Sequence, residues 1–104
     1  MKVKHISQDN KGAFIAYIDD QQAGMMTYSV AGEDKIIADH TEVEDNFRMR
    51  GVGEELFKAL IEHVKTNNIK VIPICPFVKS RFEKDESLAI WLIKKVKSTL
   101  VDKK

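Results

Sequence analysis

The sequence predicts an α/β (α+β) domain with a mixed β-sheet, and three patterns carry that prediction. Apolar residues alternate with polar ones from Met1 to about Val43, with turn residues at intervals of about ten positions. After residue 50 the apolar residues follow a helical period. A short and nearly continuous apolar run then extends from Ile69 to Cys75, as in buried strands. An antiparallel meander followed by a β-α-β unit accounts for all three patterns.

The meander contains four predicted strands separated by turns. The segment from Asp9 to Gly12 supplies side-chain acceptors and a residue that tolerates positive φ, as a tight turn requires. Polar groups accumulate toward the end of the fourth strand, which is typical either of a solvated strand edge or of a site. The predicted strands cover Val3 to Gln8, Ala13 to Ile18, Ala23 to Val30 and Lys35 to Val43.

The long helix is predicted to begin after residue 50 and to end near Asn67. The run from Ile69 to Cys75 is then expected to form a strand buried on both faces, reached by a right-handed crossover. Pro73 cannot donate a hydrogen bond to a strand ladder, so it suits an edge, a bulge or a place where strands part. The apolar stripe of the helix comprises Val52, Leu56, Phe57, Leu60, Ile61 and Val64.

Two further helices are predicted in the C-terminal part. Pro76 suits the first position of a helix that runs from about Phe77 to Lys84. Asp85 or Ser87 can cap a final helix. The apolar residues assigned to that final helix are Leu88, Trp91, Leu92, Val96 and Leu100.

The composition is that of one ordinary soluble domain spanning residues 1–104, with 43% hydrophobic and 32% charged residues. The formal net charge of +1 disfavours a dedicated binder of nucleic acid or of anionic membranes. A single cysteine excludes a disulfide framework, and no apolar run is long enough for a transmembrane helix or a signal sequence. We therefore expect a cytoplasmic monomer whose thiol stays reduced.

The segment Arg48-Met49-Arg50-Gly51-Val52-Gly53 separates the fourth strand from the long helix. Its two glycines let a ligand approach the backbone closely, and the free N–H groups of the first helical turn form an anion site. Arg48 and Arg50 add charge and bidentate donors. A helix start with glycines and no ligand is the alternative. The segment has neither the third glycine of the dinucleotide fingerprint nor the Gly-Lys-Ser/Thr ending of a Walker A loop.

With this loop the sequence resembles the GCN5-related N-acetyltransferases, whose R/Q-x-x-G-x-G/A loop binds the pyrophosphate of acetyl-CoA. Arg48, Gly51 and Gly53 match the fixed positions. The strings His40-Thr41-Glu42-Val43 and Val71-Ile72-Pro73-Ile74-Cys75-Pro76-Phe77-Val78 narrow the resemblance to the minimal single-domain members of about one hundred residues. The resemblance covers most of the chain, from about residue 8 to about residue 84.

This resemblance implies a mixed sheet in which the strands Lys35 to Val43 and Ile69 to Cys75 splay apart. The pantetheine arm of acetyl-CoA enters the gap, and Pro73 fits such a parting. No metal is implied, and His5 and His63 are far apart in the sequence with no ligand spacing. The implied contacts to acetyl-CoA come from Val43, Arg48, Arg50, Gly51, Val52 and Gly53.

Three residues are candidates for chemistry. Cys75 is either a buried structural thiol or, at a helix N-terminus that favours the thiolate, an acetyl acceptor that the resemblance places near the thioester. His40 is the preferred general base, because imidazole titrates near neutral pH, although a satisfied strand histidine is the alternative. Glu42 shares a strand face with His40 and could serve as the base or orient it.

We expect a transferase that moves acetyl from acetyl-CoA to an unidentified amine, directly or through Cys75. The alternative is a CoA-binding module without turnover, which would keep Arg48 and the glycines. Two features separate the sequence from larger members of the family. Between residues 9 and 12 there is no room for the two helices that usually help to form the amine pocket, and the helix after Cys75 carries no tyrosine. If the domain were purely structural, the match of its glycine loop to an acetyl-CoA-binding loop would have to be a coincidence.

Overall fold

A five-stranded sheet in sequential order underlies the fold in the computed structural model, which describes residues 1–93. The first four strands are antiparallel, and the fifth joins the fourth in parallel. The predicted mixed sheet is therefore confirmed. The strands are β1 (Lys2–Gln8), β2 (Lys11–Ile18), β3 (Gln21–Gly32), β4 (Lys35–Val43) and β5 (Lys70–Pro73).

The hairpin turns are tighter than predicted. Asp19 and Asp20 both have positive φ, 51° and 68°, as a two-residue turn that matches the strand twist requires. The first turn also needs only two residues, and Asp9 takes its left-handed position with φ 56°. Gly12 belongs to β2, where the ring of Tyr28 occupies the space that a side chain would fill. The turn prediction was wrong about the role of this glycine.

Two helices pack on one face of the sheet. They are α1 (Val52–Asn67) and α2 (Pro76–Glu83). The predicted apolar stripe of α1 is buried against β2, β3 and β4. The rings of Phe57 and Phe82 meet edge to face at 5.4 Å and join α2 to the same core. None of the helices in residues 1–93 is long and apolar enough to cross a membrane.

The prediction for the fifth strand was wrong in length and burial. β5 stops at Pro73, and Ile74 beyond it is 64% exposed. Only Val71 of this strand is buried in the core. The missing N–H of Pro73 ends the ladder, because a proline cannot donate to the strand beside it. An apolar run alone does not distinguish a strand buried on both faces from a shorter one.

The final helix differs from its prediction within the described residues. Asp85 does act as the cap, and it accepts a hydrogen bond of 3.0 Å from the N–H of Ser87. The element it starts is a 3-10 helix, Glu86–Trp91, after which Leu92 becomes extended and forms a parallel bridge to Val71. The predicted positions Val96 and Leu100 lie outside the described residues.

Two histidines that are far apart in the sequence meet on the helix-covered face of the sheet. The imidazole of His5 stacks on Phe14, with ring centroids 4.5 Å apart, and its Nε2 lies 2.7 Å from the hydroxyl of Tyr28. The ring of His63 on α1 lies 4.6 Å from that of His5. The spacing of the two histidines in the sequence did not indicate this contact. It forms because α1 crosses the sheet and places His63 over the edge strand β1. Within residues 1–93, no three or more metal-ligating side chains form a group.

This histidine pair makes the free energy of unfolding depend on pH. Burial lowers the pKa of His5, and burial followed by the charge of His5 lowers the pKa of His63, both from 6.5. The unfolded chain therefore binds protons more readily than the folded chain. Stability is full above about pH 6.5 and declines as the pH falls through that value toward the lower folded-state pKa values.

We expect the melting temperature to fall between about pH 7 and pH 5.5, before most carboxylates titrate. The substitution His63→Phe should reduce this dependence, because His5 then has no second imidazolium beside it. Thermal melts followed by circular dichroism in buffers of matched ionic strength measure both slopes. Equal slopes in parent and variant would contradict the assignment.

Candidate functional site

The loop between β4 and α1 is shaped by left-handed backbone. Gly51 is the N-cap of α1 with φ 77° and ψ 18°, a conformation that costs other residues strain. Its carbonyl accepts the first helical hydrogen bond, 3.1 Å from the N–H of Glu55. The N–H groups of Val52, Gly53 and Glu54 precede that bond and have no acceptor within the helix. The helix start therefore presents donors and the positive end of the helix dipole.

Two guanidinium groups flank this helix start. Arg48 forms an ion pair of 3.1 Å with Asp45, yet its side chain remains 71% exposed. Arg50 lies over the ring of Phe47, 6.0 Å from the centroid. Both cations are therefore held near the loop by short-range contacts while staying accessible to an anion.

Gly53 serves helix packing in addition to any role toward a ligand. A side chain there would bring its Cβ within 2.8 Å of Cζ of Phe77, so α1 and α2 could not approach as they do. Arg81 of α2 pairs with Glu54 in the first turn of α1. This ion pair offsets one of the two carboxylates in the first turn of α1, which would otherwise repel an anion. No role for Phe77 or Arg81 was predicted from the sequence.

Strands β4 and β5 part just before the site. Their pairing ends at Ala38 and Pro73, and the last bond between the two segments is the N–H of Cys75 to the carbonyl of Ala38 at 2.9 Å. In residues 1–93 no strand pairs with this edge of β4 from Asp39 to Val43. The backbone of that edge is consequently open to an extended ligand, which could add to the sheet like another strand.

A groove connects this open strand edge with the glycine loop. A cavity of about 540 Å³ follows β4 from His40 to Arg48, and another of about 250 Å³ extends over the glycine loop to Phe77. Val43 and Arg48 line both. One elongated molecule with an anionic part could therefore contact the α1 N-terminus and the end of β4 together.

The three candidate catalytic residues separate into two groups. His40 and Glu42 lie together, with Nε2 of His40 3.2 Å from a carboxylate oxygen of Glu42, and both side chains are exposed. Cys75 is the N-cap of α2 and only 3% exposed, and its sulfur lies 3.2 Å from the hydroxyl of Thr41. Because Thr41 alternates with its neighbours along β4, Cys75 and the His40–Glu42 pair lie on opposite faces of the strand.

Thr41 is the site residue that sequence reasoning passed over. It belongs to the string that carried the family resemblance, but nothing local indicates which side chain it faces. The only indication in the sequence was that Thr41 is polar and lies between His40 and Glu42. Its partner, Cys75, is 34 positions away in the chain.

Comparison with known proteins identifies the family. Residues 13–90 match the family model described as GCN5-related N-acetyl-transferase. A GCN5-like protein from Staphylococcus aureus, solved by NMR, is 29% identical over 92% of this chain and 93% of its own, with a TM-score of 0.65. None of the curated proteins matches the sequence.

Two more distant structures share the fold. A ribosomal-protein-alanine N-acetyltransferase from Brucella melitensis is 18% identical, with a TM-score of 0.62 over 93% of this chain and 72% of its own. A protein from Bacillus anthracis described as a streptothricin acetyltransferase, in complex with acetyl coenzyme A, is 20% identical, with a TM-score of 0.54. That match covers 64% of this chain and 39% of the other.

Proposed function

This chain belongs to the GCN5-related N-acetyltransferase family and is an acyltransferase of that type, and we propose that it transfers acetyl from acetyl-CoA to a primary amine. The observation that carries the proposal is the groove along the unpaired edge of β4. It joins the left-handed glycine loop at one end to the His40–Glu42 pair at the other. An anion cradle and a titratable pair thus border one elongated site.

The residues of the groove fit acetyl-CoA as the acetyl donor. The N–H groups that begin α1, with Arg48 and Arg50, suit the pyrophosphate, since helix N-termini and guanidinium groups both favour oxyanions. The free edge of β4 offers backbone donors and acceptors to the amide groups of the pantetheine arm. Val43, which lines both cavities, provides apolar contact, whereas Val52 is only 1% exposed and contributes its backbone N–H. A relative of the same fold from Bacillus anthracis holds acetyl coenzyme A.

His40 acts on the acceptor in this proposal. The amine nitrogen forms a bond to the acetyl carbon while the carbon–sulfur bond of the thioester breaks. One proton of the amine passes to Nδ1 of His40, because the Nε2–H of that ring is donated to Glu42. The departing CoA thiolate takes up a proton from solvent. Glu42, 3.2 Å from His40, orients the imidazole and stabilises the imidazolium that forms.

Cys75 borders the gap from the opposite face of β4, and we propose that the amine attacks acetyl-CoA directly. The sulfur is buried and within hydrogen-bonding distance of Thr41, and the β4 backbone separates it from His40. Buried cysteines with such surroundings are generally unreactive. A covalent route would instead form acetyl-Cys75 and release CoA before the amine attacks.

Intact mass spectrometry and a transfer assay test this function. After incubation with acetyl-CoA and a panel of primary amines, we expect acetylated amine and free CoA in equal amounts and no acetyl group on the protein. Cys75→Ala should retain most of the transfer rate. A protein-bound acetyl group that disappears on adding amine, together with an inactive Cys75→Ala, would establish the covalent route. Acetyl-CoA binding with no transfer to any amine would leave a CoA-binding module.

A further inference from the structure

The sheet face opposite the helices is uncovered in residues 1–93, and one end of it carries the His40–Glu42 pair. Along each strand its residues alternate with core residues such as Phe14 and Met26. Both α1 and α2 pack on the other face. We refer to this surface as the open face. Ile6 on the open face is 55% exposed, so an apolar side chain is accessible on β1, at the far end of this surface from the proposed base.

Strand register arranges the open face into two adjacent rows that run across four strands. Residues in a row are direct cross-strand partners, and neighbouring strands are roughly 4.8 Å apart, so each row spans about 14 Å. Each row ends on β4 at a member of the titratable pair. The first row is Ile6, Ala13, Thr27 and His40, and the second is Lys4, Ile15, Met25 and Glu42.

The second row has opposite charges at its ends and apolar side chains between them. Lys4 lies over the ring of Tyr17, 5.4 Å from the centroid, and forms no ion pair with a carboxylate of the described residues. Glu42 at the other end is paired with His40. Ile15 and Met25 are partly exposed between them. The surface therefore has an unpaired cation, Lys4, about 14 Å from the His40 and Glu42 side chains beside which the acceptor amine would bind.

We infer that the open face binds the acceptor, and that this acceptor is an extended peptide with a free N-terminal amine and an acidic residue near its fourth position. This inference rests on the proposed acetyl transfer. An extended chain advances roughly 3.3 Å per residue, so four residues span the row. The amine then lies at His40 and Glu42, small apolar side chains lie over Ile15 and Met25, and the carboxylate reaches Lys4. Charge complementarity selects the orientation of the peptide.

A charge-reversal experiment tests the inference. The probes are two amidated tetrapeptides with free N-termini, Ala-Ala-Ala-Glu and Ala-Ala-Ala-Arg, neither of which has a second amine that can be acetylated. We expect the parent to prefer the Glu peptide by roughly 3- to 10-fold in kcat/KM, as for an exposed charge pair. Lys4→Glu should reverse that preference. Lys65→Glu, on the helix layer with the same change of net charge, should leave it unchanged.

Backbone amide shifts in NMR provide a readout that does not require transfer. Titration of the CoA-bound protein with the Glu peptide should move the resonances of Ile15 and Met25 and leave those of Leu60 in α1 unchanged. An unaltered preference in Lys4→Glu, or shifts confined to other surfaces, would overturn the inference. So would a concentration-dependent dimer that shows the same shifts without peptide.

Failure of the proposed function has a different signature. In that case no amine in the panel is acetylated, whatever the peptide shifts show. If other amines are acetylated while both tetrapeptides are inert, acetyl transfer stands and the peptide acceptor is rejected.

Discussion

His40→Gln is expected to lower the rate of acetyl transfer by roughly 100- to 10,000-fold, the usual contribution of a general base. Acetyl-CoA affinity should stay nearly the same, because the anion site is formed by Arg48 and the start of α1, away from the exposed His40 side chain. Stability should also change little, since the His40 side chain is exposed and, among the described residues, forms a side-chain hydrogen bond only with Glu42. Steady-state kinetics together with calorimetric titration of acetyl-CoA measure the two effects separately.

The pH profile identifies which member of the pair accepts the proton. Where the activity of the parent rises with pH because the base must lose its proton, that rise should vanish in His40→Gln. Glu42→Gln is the matched control on the same strand face. If Glu42→Gln alone removes the rise, the carboxylate is the base and His40 orients it. Parental rates and profiles in both variants would reject a catalytic role for the pair.

Gly51→Val is expected to weaken acetyl-CoA binding by about 2 kcal/mol or more, which is roughly 30-fold in Kd. A β-branched residue strongly resists the left-handed conformation that Gly51 adopts at φ 77°. The loop would therefore adopt a different backbone conformation, and the N–H groups that begin α1 would no longer point in a common direction. Calorimetry with acetyl-CoA measures the loss, and circular dichroism verifies that the fold is intact.

Gly51→Asn distinguishes the effect of the left-handed backbone at residue 51 from the effect of a side chain that obstructs the ligand. Asparagine tolerates the left-handed region, and a Cβ at this position meets no atom of the described residues within 4 Å. If conformation alone matters, Gly51→Asn binds like the parent. A loss as large as that of Gly51→Val would mean that the ligand approaches too closely for any side chain. Parental affinity in Gly51→Val would contradict the anion cradle itself.

Local patterns were sufficient for most of the secondary structure. The bounds of β4 agree with the prediction, and the stripe from Val52 to Val64 is buried as expected. Pro76 begins α2 as its fixed φ suggested. These features depend on residues within one or two turns of one another, so periodicity and capping chemistry encode them directly.

β5 and the last helix show where local patterns were insufficient. An apolar run predicts burial but does not specify how many strands flank it, and the length of β5 depends on where β4 stops pairing with it. The 3-10 turn before Leu92 similarly ends where Leu92 meets Val71, a contact between distant segments. Tertiary contacts of this kind override the intrinsic secondary-structure propensity of a segment, because each element gains most of its stability from burial.

The sequence by itself determined the sheet-and-helix order, the glycine loop with its two arginines, and the pairing of His40 with Glu42, because alternate residues of a strand share a face. Tertiary structure alone decided three other features. It turned Cys75 toward Thr41 and away from His40, it brought His63 against His5, and it aligned Lys4 with Glu42 across four strands. The physical reason is register: a shift of one residue in any strand would exchange its two faces, and only the packing of the whole core selects among the alternatives.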